Sequence, residues 1–305
     1  MPSSISSSKR LKIALLVAVG VFALLGGLKW HLLKKVPASL IPMQESFWEE
    51  KAKTTQRYDV VIIGDSRVYR GVAPMAFAGS DSRVLNFGFS SGGMTGPLLE
   101  AGASKLDPCG KRIILLGVSP HSLTSEAGKN EHFKGCATAP DKLFQFSPFV
   151  QFYFSKEGTD LALKVLEGKI DGKRGYFQTP HEGGWIESYK NPSLPEHGVD
   201  KFREIFRQSK IDEQIVAGLM QQISEWKTQG IRVFGFRPPT NEDMERVENE
   251  HSGFDEAAFI GRLNESGGTW INLPDRFAFD VYDGSHLTGE SAKQLSKQLA
   301  EAIQN

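Results

Sequence analysis

The sequence predicts an α/β protein, a parallel sheet of five strands with helices between them, preceded by one apolar N-terminal helix. Three observations carry that expectation. Five short runs rich in β-branched and aliphatic residues (60–63, 83–87, 112–118, 231–236 and 269–273) alternate with stretches of helical periodicity. Alternation of this kind gives a parallel sheet through right-handed crossovers. Several runs also end in small or reactive residues, at Gly64-Asp65-Ser66, at Gly88 to Gly93, at Ser119-Pro120-His121 and at Arg237. The carboxyl edge of a parallel sheet is where ligands bind. Finally, an apolar stretch at 13–28, IALLVAVGVFALLGGL, follows Lys9, Arg10 and Lys12.

That stretch fixes the predicted organisation. A spanning helix needs about 20 residues, a length reached if Lys12 and Lys29 extend toward the interfaces. No small-x-small cleavage site precedes Lys29 and no lipobox cysteine is present, so an uncleaved signal-anchor is expected over a cleaved leader. The expected layout is a cytoplasmic N-terminus at 1–12, a transmembrane segment at 13–33, a stalk at 34–56 with Pro37, Pro42 and a short helix near 47–52, and a catalytic-type domain at 57–305. An anchor of this kind implies a bacterial inner-membrane protein, single-pass, with its domain in the periplasm or outside the cell. Lys plus Arg and Asp plus Glu balance at 36 each over 305 residues, which argues against nucleic acid as a partner. Cys109 and Cys136 are compatible with one disulfide in an oxidising compartment or with two thiols.

In order, Val60-Val61-Ile62-Ile63 reads as a strand buried on both faces. Gly64-Asp65-Ser66 then turns into a helix, so Ser66 would sit beside free backbone N–H groups and a helix N-terminus. That suits a nucleophile whose reaction makes an oxyanion; simple turn and capping chemistry would look the same. The second strand runs into the glycine loop containing Gly92 and Gly93, and a helix follows near 97–106. After the third strand come Ser119 and His121, the latter a site candidate or a local hydrogen-bond partner. The segment 143–154, LFQFSPFVQFYF, reads as core aromatics or as a surface lying on a bilayer. Residues 170–198 have little periodicity and read as a long loop; one use for such a loop is a lid in which Trp185 and Tyr189 stack on a sugar. Ile211, Ile215, Leu219, Ile223 and Trp226 recur at helical spacing. Arg237 ends the fourth strand as a salt-bridge partner or an anion clamp. A helix pair at 242–263 and a last helix at 291–303 complete the pattern.

Directly before the last helix stands Asp283-Gly284-Ser285-His286. An aspartate three residues ahead of a histidine can fix its tautomer and leave the other ring nitrogen as a base. On one sheet edge, Ser66, the glycine loop, Asp283 and His286 make a chemically complete set of nucleophile, oxyanion donors and oriented base.

These residues resemble the motif blocks of the SGNH (GDSL-type) hydrolase superfamily. The resemblance implies a flavodoxin-like three-layer sandwich over 58–305, Ser66 as nucleophile, His286 as base and Asp283 as its orienting acid. Backbone N–H groups of Ser66 and Gly92, or Gly93 one residue on, would hold the oxyanion. Asp65, Arg67, Ser119, His121 and Arg237 are further substrate-binding candidates; no metal and no cofactor is implied. The family places an Asn in a Gly-x-Asn-Asp block where this chain reads Gly117-Val118-Ser119-Pro120, and one lost oxyanion donor costs roughly 3 to 4 kcal/mol. With its anchor, the chain is similar to the branch that acylates envelope polymers, including alginate-acetylation proteins and the D-alanyl-transfer protein of teichoic acids. That implies a serine esterase or O-acyltransferase acting on acyl groups of a cell-envelope polysaccharide, beside a membrane-bound O-acyltransferase. The alternative is a non-catalytic assembly component that keeps the fold; a phosphate-binding protein using Arg67 and Arg237 lacks a phosphate loop.

Overall fold

The computed structural model describes residues 7–33, 36, 45–80, 82–140, 152–168 and 175–304. The stretch 37–42 and most of the aromatic segment, 143–151, lie outside them. The helices and strands are α1 (Ser7–Leu33), α2 (Glu45–Lys53), β1 (Val60–Gly64), α3 (Ser66–Gly71), β2 (Val84–Gly88), α4 (Gly96–Ala103), β3 (Ile113–Gly117), α5 (Ser125–Gly128), α6 (Glu131–Thr138) and α7 (Lys156–Leu166). They continue with β4 (Gly175–Pro180), β5 (Ile186–Asn191), α8 (Pro195–Gln208), α9 (Glu213–Thr228), β6 (Arg232–Phe236), α10 (Glu242–His251), α11 (Glu256–Glu265), β7 (Thr269–Trp270) and α12 (Gly289–Ala302).

The chain forms two compact units, Met1–Gln44 with Lys142–Gly175, and Glu45–Asp141 with Tyr176–Asn305. In the first, Leu15–Leu33 is a 19-residue stretch of mean hydropathy 1.8, long and apolar enough to cross a membrane. The second holds a five-stranded parallel sheet in the order β2-β1-β3-β6-β7. Counting only those strands, this is the flavodoxin-like 2-1-3-4-5 order, whose direction of winding reverses beside β1.

Both faces of the sheet are covered, which is why β1 and β3 are unbroken apolar runs. Val60, Ile62, Ile113 and Leu115 share a core with Leu295, Leu299 and Ile303 at the last helix. Ile63 points the other way, where Gly102 of α4 comes so close that a Cβ would overlap it. Helix α9 is set by its N-cap, Asp212, which accepts the Gln214 N–H at 2.9 Å, and by the buried stripe Val216, Leu219, Ile223 and Trp226. Helix α12 is capped by Thr288.

The structure departs from the sequence expectation in three places. The last strand is two residues long rather than five. The expected loop 170–198 holds a two-stranded sheet, β4 with β5, and the start of α8. Trp185 is fully buried there, with its indole N–H donated to the Arg70 carbonyl at 2.8 Å, so it is no sugar-stacking lid residue. Of the two states left open for the cysteines, the structure has the second, with no disulfide between Cys109 and Cys136. Cys109 lies in an exposed turn held by Asp107, whereas Cys136 sits on α6, which packs on α2.

Candidate active site

Three strand ends meet in register where β1 stops. Gly64 pairs with Gly88 of β2 and with Gly117 of β3. A Cβ at Gly64 or Gly117 would overlap the Val68 side chain, and one at Gly88 would meet the Tyr69 N–H. The row of glycines therefore lets the first turn of α3 lie directly on the sheet edge. Asp65 caps that helix, its Oδ1 accepting the Arg67 N–H at 2.9 Å. Its Oδ2 accepts the Ser119 hydroxyl at 2.6 Å, tying the helix start to the loop after β3. Ser66 follows as the first residue of α3, and an N–H in that position has no intrahelical acceptor.

The partner of Ser66 comes from the far end of the chain. Asp283 Oδ1 accepts the backbone N–H groups of Ser285 at 3.1 Å and His286 at 2.9 Å, folding the Asp283-Gly284-Ser285-His286 turn. Gly284 has φ +80 and a Cβ there would strike the Pro195 carbonyl, so only glycine suits the turn. His286 Nδ1 lies 2.8 Å from Asp283 Oδ2, and Nε2 lies 2.9 Å from Ser66 Oγ. With Nδ1–H donated to the carboxylate, Nε2 is the acceptor for the serine proton.

Burial pushes the His286 pKa down to about 4, Arg70 pushes the same way, and the Asp283 hydrogen bond and charge only partly oppose them. Burial would raise Asp283, but the His286 hydrogen bond and charge and two backbone N–H bonds outweigh it and hold the acid at about 2. At neutral pH the imidazole is thus neutral and the carboxylate charged, the pairing a general base needs.

Other expected site residues turn out to hold the scaffold. Arg67 is buried, donating from Nε to Ser285 Oγ at 3.0 Å and pairing with Glu248 at 2.5 Å. Arg237 pairs with the same Glu248 at 2.8 Å and with Glu256 at 2.7 Å; it is the salt-bridge partner, not an anion clamp. His121 is buried edge-on against Phe202, and burial lowers its pKa, with Asp65 opposing. The N–H groups of the glycine loop are already engaged. Gly93 N–H is donated to Asn130 Oδ1 at 2.8 Å, and Gly92 N–H closes a turn onto the Phe89 carbonyl at 3.1 Å. A Cβ at Gly92 would meet the Gly64 carbonyl and one at Gly93 the Ala127 backbone, so both glycines are required by close packing.

Sequence reasoning missed four participants. Tyr282 stacks on His286 with centroids 5.9 Å apart, and its hydroxyl accepts from Arg70 Nη1 at 3.1 Å. Arg70, which also donates to the Tyr69 hydroxyl at 3.0 Å, forms no ion pair among the described residues. It stands four residues after Ser66, one helical turn on, and that spacing was the available signal. Ser285 and Glu248 carried none, since their partners lie far away in sequence.

Fold and site together define a parallel α/β protein with a serine–histidine–aspartate hydrogen-bonded chain at the winding reversal of its sheet. No protein-family model matches the sequence, and no curated protein matches it. Among solved structures the chain is similar to a protein from Streptococcus pneumonia described as a platelet activating factor, at 13% identity and TM-score 0.41, covering 95% of this chain and 99% of that one. It is also similar to a carbohydrate acetylesterase family member from Sinorhizobium meliloti, at 11% identity and TM-score 0.36, covering 81% and 97%.

Proposed function

We propose that this chain is a membrane-anchored serine esterase or O-acyltransferase. The observation that carries the proposal is the chain of contacts from Ser66 Oγ through His286 to Asp283, at 2.9 and 2.8 Å, drawn from residues 220 positions apart. Ser66 Oγ attacks an acyl carbonyl while its proton passes to His286 Nε2, and the Ser66 N–H faces the oxyanion. Collapse expels the alcohol, which takes the proton back from His286. A water or sugar hydroxyl then attacks the acyl-serine, giving up its proton to His286; the bond to Ser66 Oγ breaks, Oγ takes that proton back, and the free acid or acylated sugar leaves. The apolar helix α1 supports placing this chemistry at the bacterial inner membrane; the substrate class that goes with the proposal is the acyl groups of an envelope polysaccharide, handled beside a membrane-bound O-acyltransferase.

A fluorophosphonate probe tests the proposal without knowledge of the substrate. Covalent labelling of the full chain, lost in Ser66→Ala, is expected. No labelling, or labelling that survives Ser66→Ala, would sink the nucleophile assignment. A non-catalytic assembly role is the second reading, and the engaged N–H groups of Gly92 and Gly93 favour it, since they leave Ser66 as the one oxyanion donor of the expected set. The absence of labelling in a folded protein would select it.

A further inference from the structure

Helix α7, KEGTDLALKVL, begins at Ser155, whose hydroxyl accepts the Gly158 N–H at 2.9 Å. At 3.6 residues per turn, Lys156, Glu157, Asp160 and Lys164 share one face, and Leu161, Ala162 and Val165 the opposite one. The second face packs with Phe152 against Leu33 and Val36 at the end of α1. Side-chain contacts set the depth of this packing. The Tyr153 hydroxyl donates to the Gly26 carbonyl at 2.7 Å, its ring lies 6.0 Å from that of Trp30, and Lys29 Nζ donates to Thr159 Oγ1 at 2.8 Å. A Cβ at Gly26 would press on that hydroxyl at 3.2 Å.

Gly26 lies about two turns inside Leu33, or roughly 10 Å at 1.5 Å per residue. If Leu15–Leu33 spans the bilayer, the Tyr153 hydroxyl reaches below the end of the span, while Ala162 and Val165 pack near Leu33 and Val36 at the edge of the hydrocarbon. Phe154, next in sequence, is 78% exposed, and on α7 Leu163 and Leu166, three residues apart, are 49% and 61% exposed and lie outside the packing against α1. In water, each such side chain forgoes half or more of the about 1.5 to 3 kcal/mol that full burial brings.

We propose that Phe152–Leu166 is a second membrane contact, a helix seated in the headgroup–acyl boundary against α1, whose occupant is the lipid bilayer. Phe154, Leu163 and Leu166 enter the acyl region and the Glu157–Asp160–Lys164 face stays wet, as interfacial helices lie. This rests on α1 being a retained span.

The test reconstitutes the full chain in phosphatidylcholine vesicles, with Cys109→Ser and Cys136→Ser and one reporter cysteine carrying a polarity-sensitive dye. Reporters are Phe22→Cys in α1, Phe154→Cys, Leu163→Cys, Leu166→Cys and, on the wet face, Asp160→Cys. Nitroxide on the lipid acyl chains is expected to quench positions 154, 163 and 166 about twofold or more beyond position 160, with iodide showing the reverse. If position 22 is lipid-quenched while 154, 163 and 166 behave like 160, the second contact is wrong and the anchor stands. If position 22 itself is open to iodide, the anchor fails and the second contact with it. Shielding of 154, 163 and 166 from both quenchers, with dye self-quenching between chains, would assign the edge to a second copy and overturn the lipid proposal.

Discussion

At the scale of single residues, the controlling feature is a base stripped of water. His286 is pushed down to about 4 first by burial and then by Arg70, against an ordinary histidine near 6.5. A general base works unprotonated, so activity is lost as pH falls through this value and is complete above it. The acid limb of kcat/KM on a neutral acetyl ester is therefore expected near pH 4, and a limb between 6 and 7 would contradict the burial argument. Arg70→Gln removes a charge that disfavours the imidazolium, so the same limb should move upward. His286→Ala should cost several orders of magnitude in rate, and Asp283→Asn somewhat less, because the aspartate orients rather than transfers the proton. The two losses should fall far short of multiplying, since the residues act through one hydrogen-bonded chain. Rates of the two single variants and the double variant decide it.

At the scale of elements, the site depends on how closely α3 approaches the sheet. Gly64→Ala places a methyl group into Val68, an overpacking that costs about 1 to 3 kcal/mol and lifts Ser66 away from His286. Val68→Ala in the same chain should recover part of the stability and part of the fluorophosphonate labelling; no recovery would locate the effect elsewhere. Gly64-Asp65-Ser66 was visible in the sequence as a turn. That Gly88 and Gly117 stand in register with Gly64 was not, because register is a tertiary fact carried by pairing. The β4–β5 pair was missed for a related reason. Its strands are partly exposed and hold together through contacts such as Phe177 stacked on Tyr189, 4.6 Å apart, which no alternation announces. Helix α2, by contrast, was legible near 47–52, and it belongs to the sheet unit. Trp48 packs there on Tyr69 and Phe89, and Lys51 donates to the Gly184 carbonyl at 2.9 Å. Trp48→Ala should then destabilise the sheet unit by about 3 to 5 kcal/mol in a denaturant titration, whereas a freely hanging stalk would show no change.

At the scale of the molecule, the five strands of the parallel sheet and the residues at their carboxyl ends were legible because buried parallel strands and their turns are local patterns. The charges that brace that edge were not. A sequence shows Arg67, Arg237 and Glu248 as ordinary charged residues, and only the fold brings them into one water-free cluster. Glu248 is fully buried and joins Arg67 of α3 to Arg237 at the end of β6, while Glu256 joins Arg237 to Arg276. Arg67 in turn holds Ser285, the neighbour of His286, so the cluster links the helix of the nucleophile to the turn of the base. Removing one member strands the others as unpaired buried charges, which costs about 3 to 5 kcal/mol. Glu248→Leu alone should therefore lower the unfolding midpoint sharply. Replacing Arg67, Glu248 and Arg237 together by Met, Leu and Met removes the charges as a set, and stability should return most of the way. Fluorophosphonate labelling should not return with it, because no apolar side chain can replace the Arg67 hydrogen bond to Ser285. If the triple variant regains both stability and labelling, the cluster serves stability alone and the turn carrying His286 is held by its own Asp283 bonds.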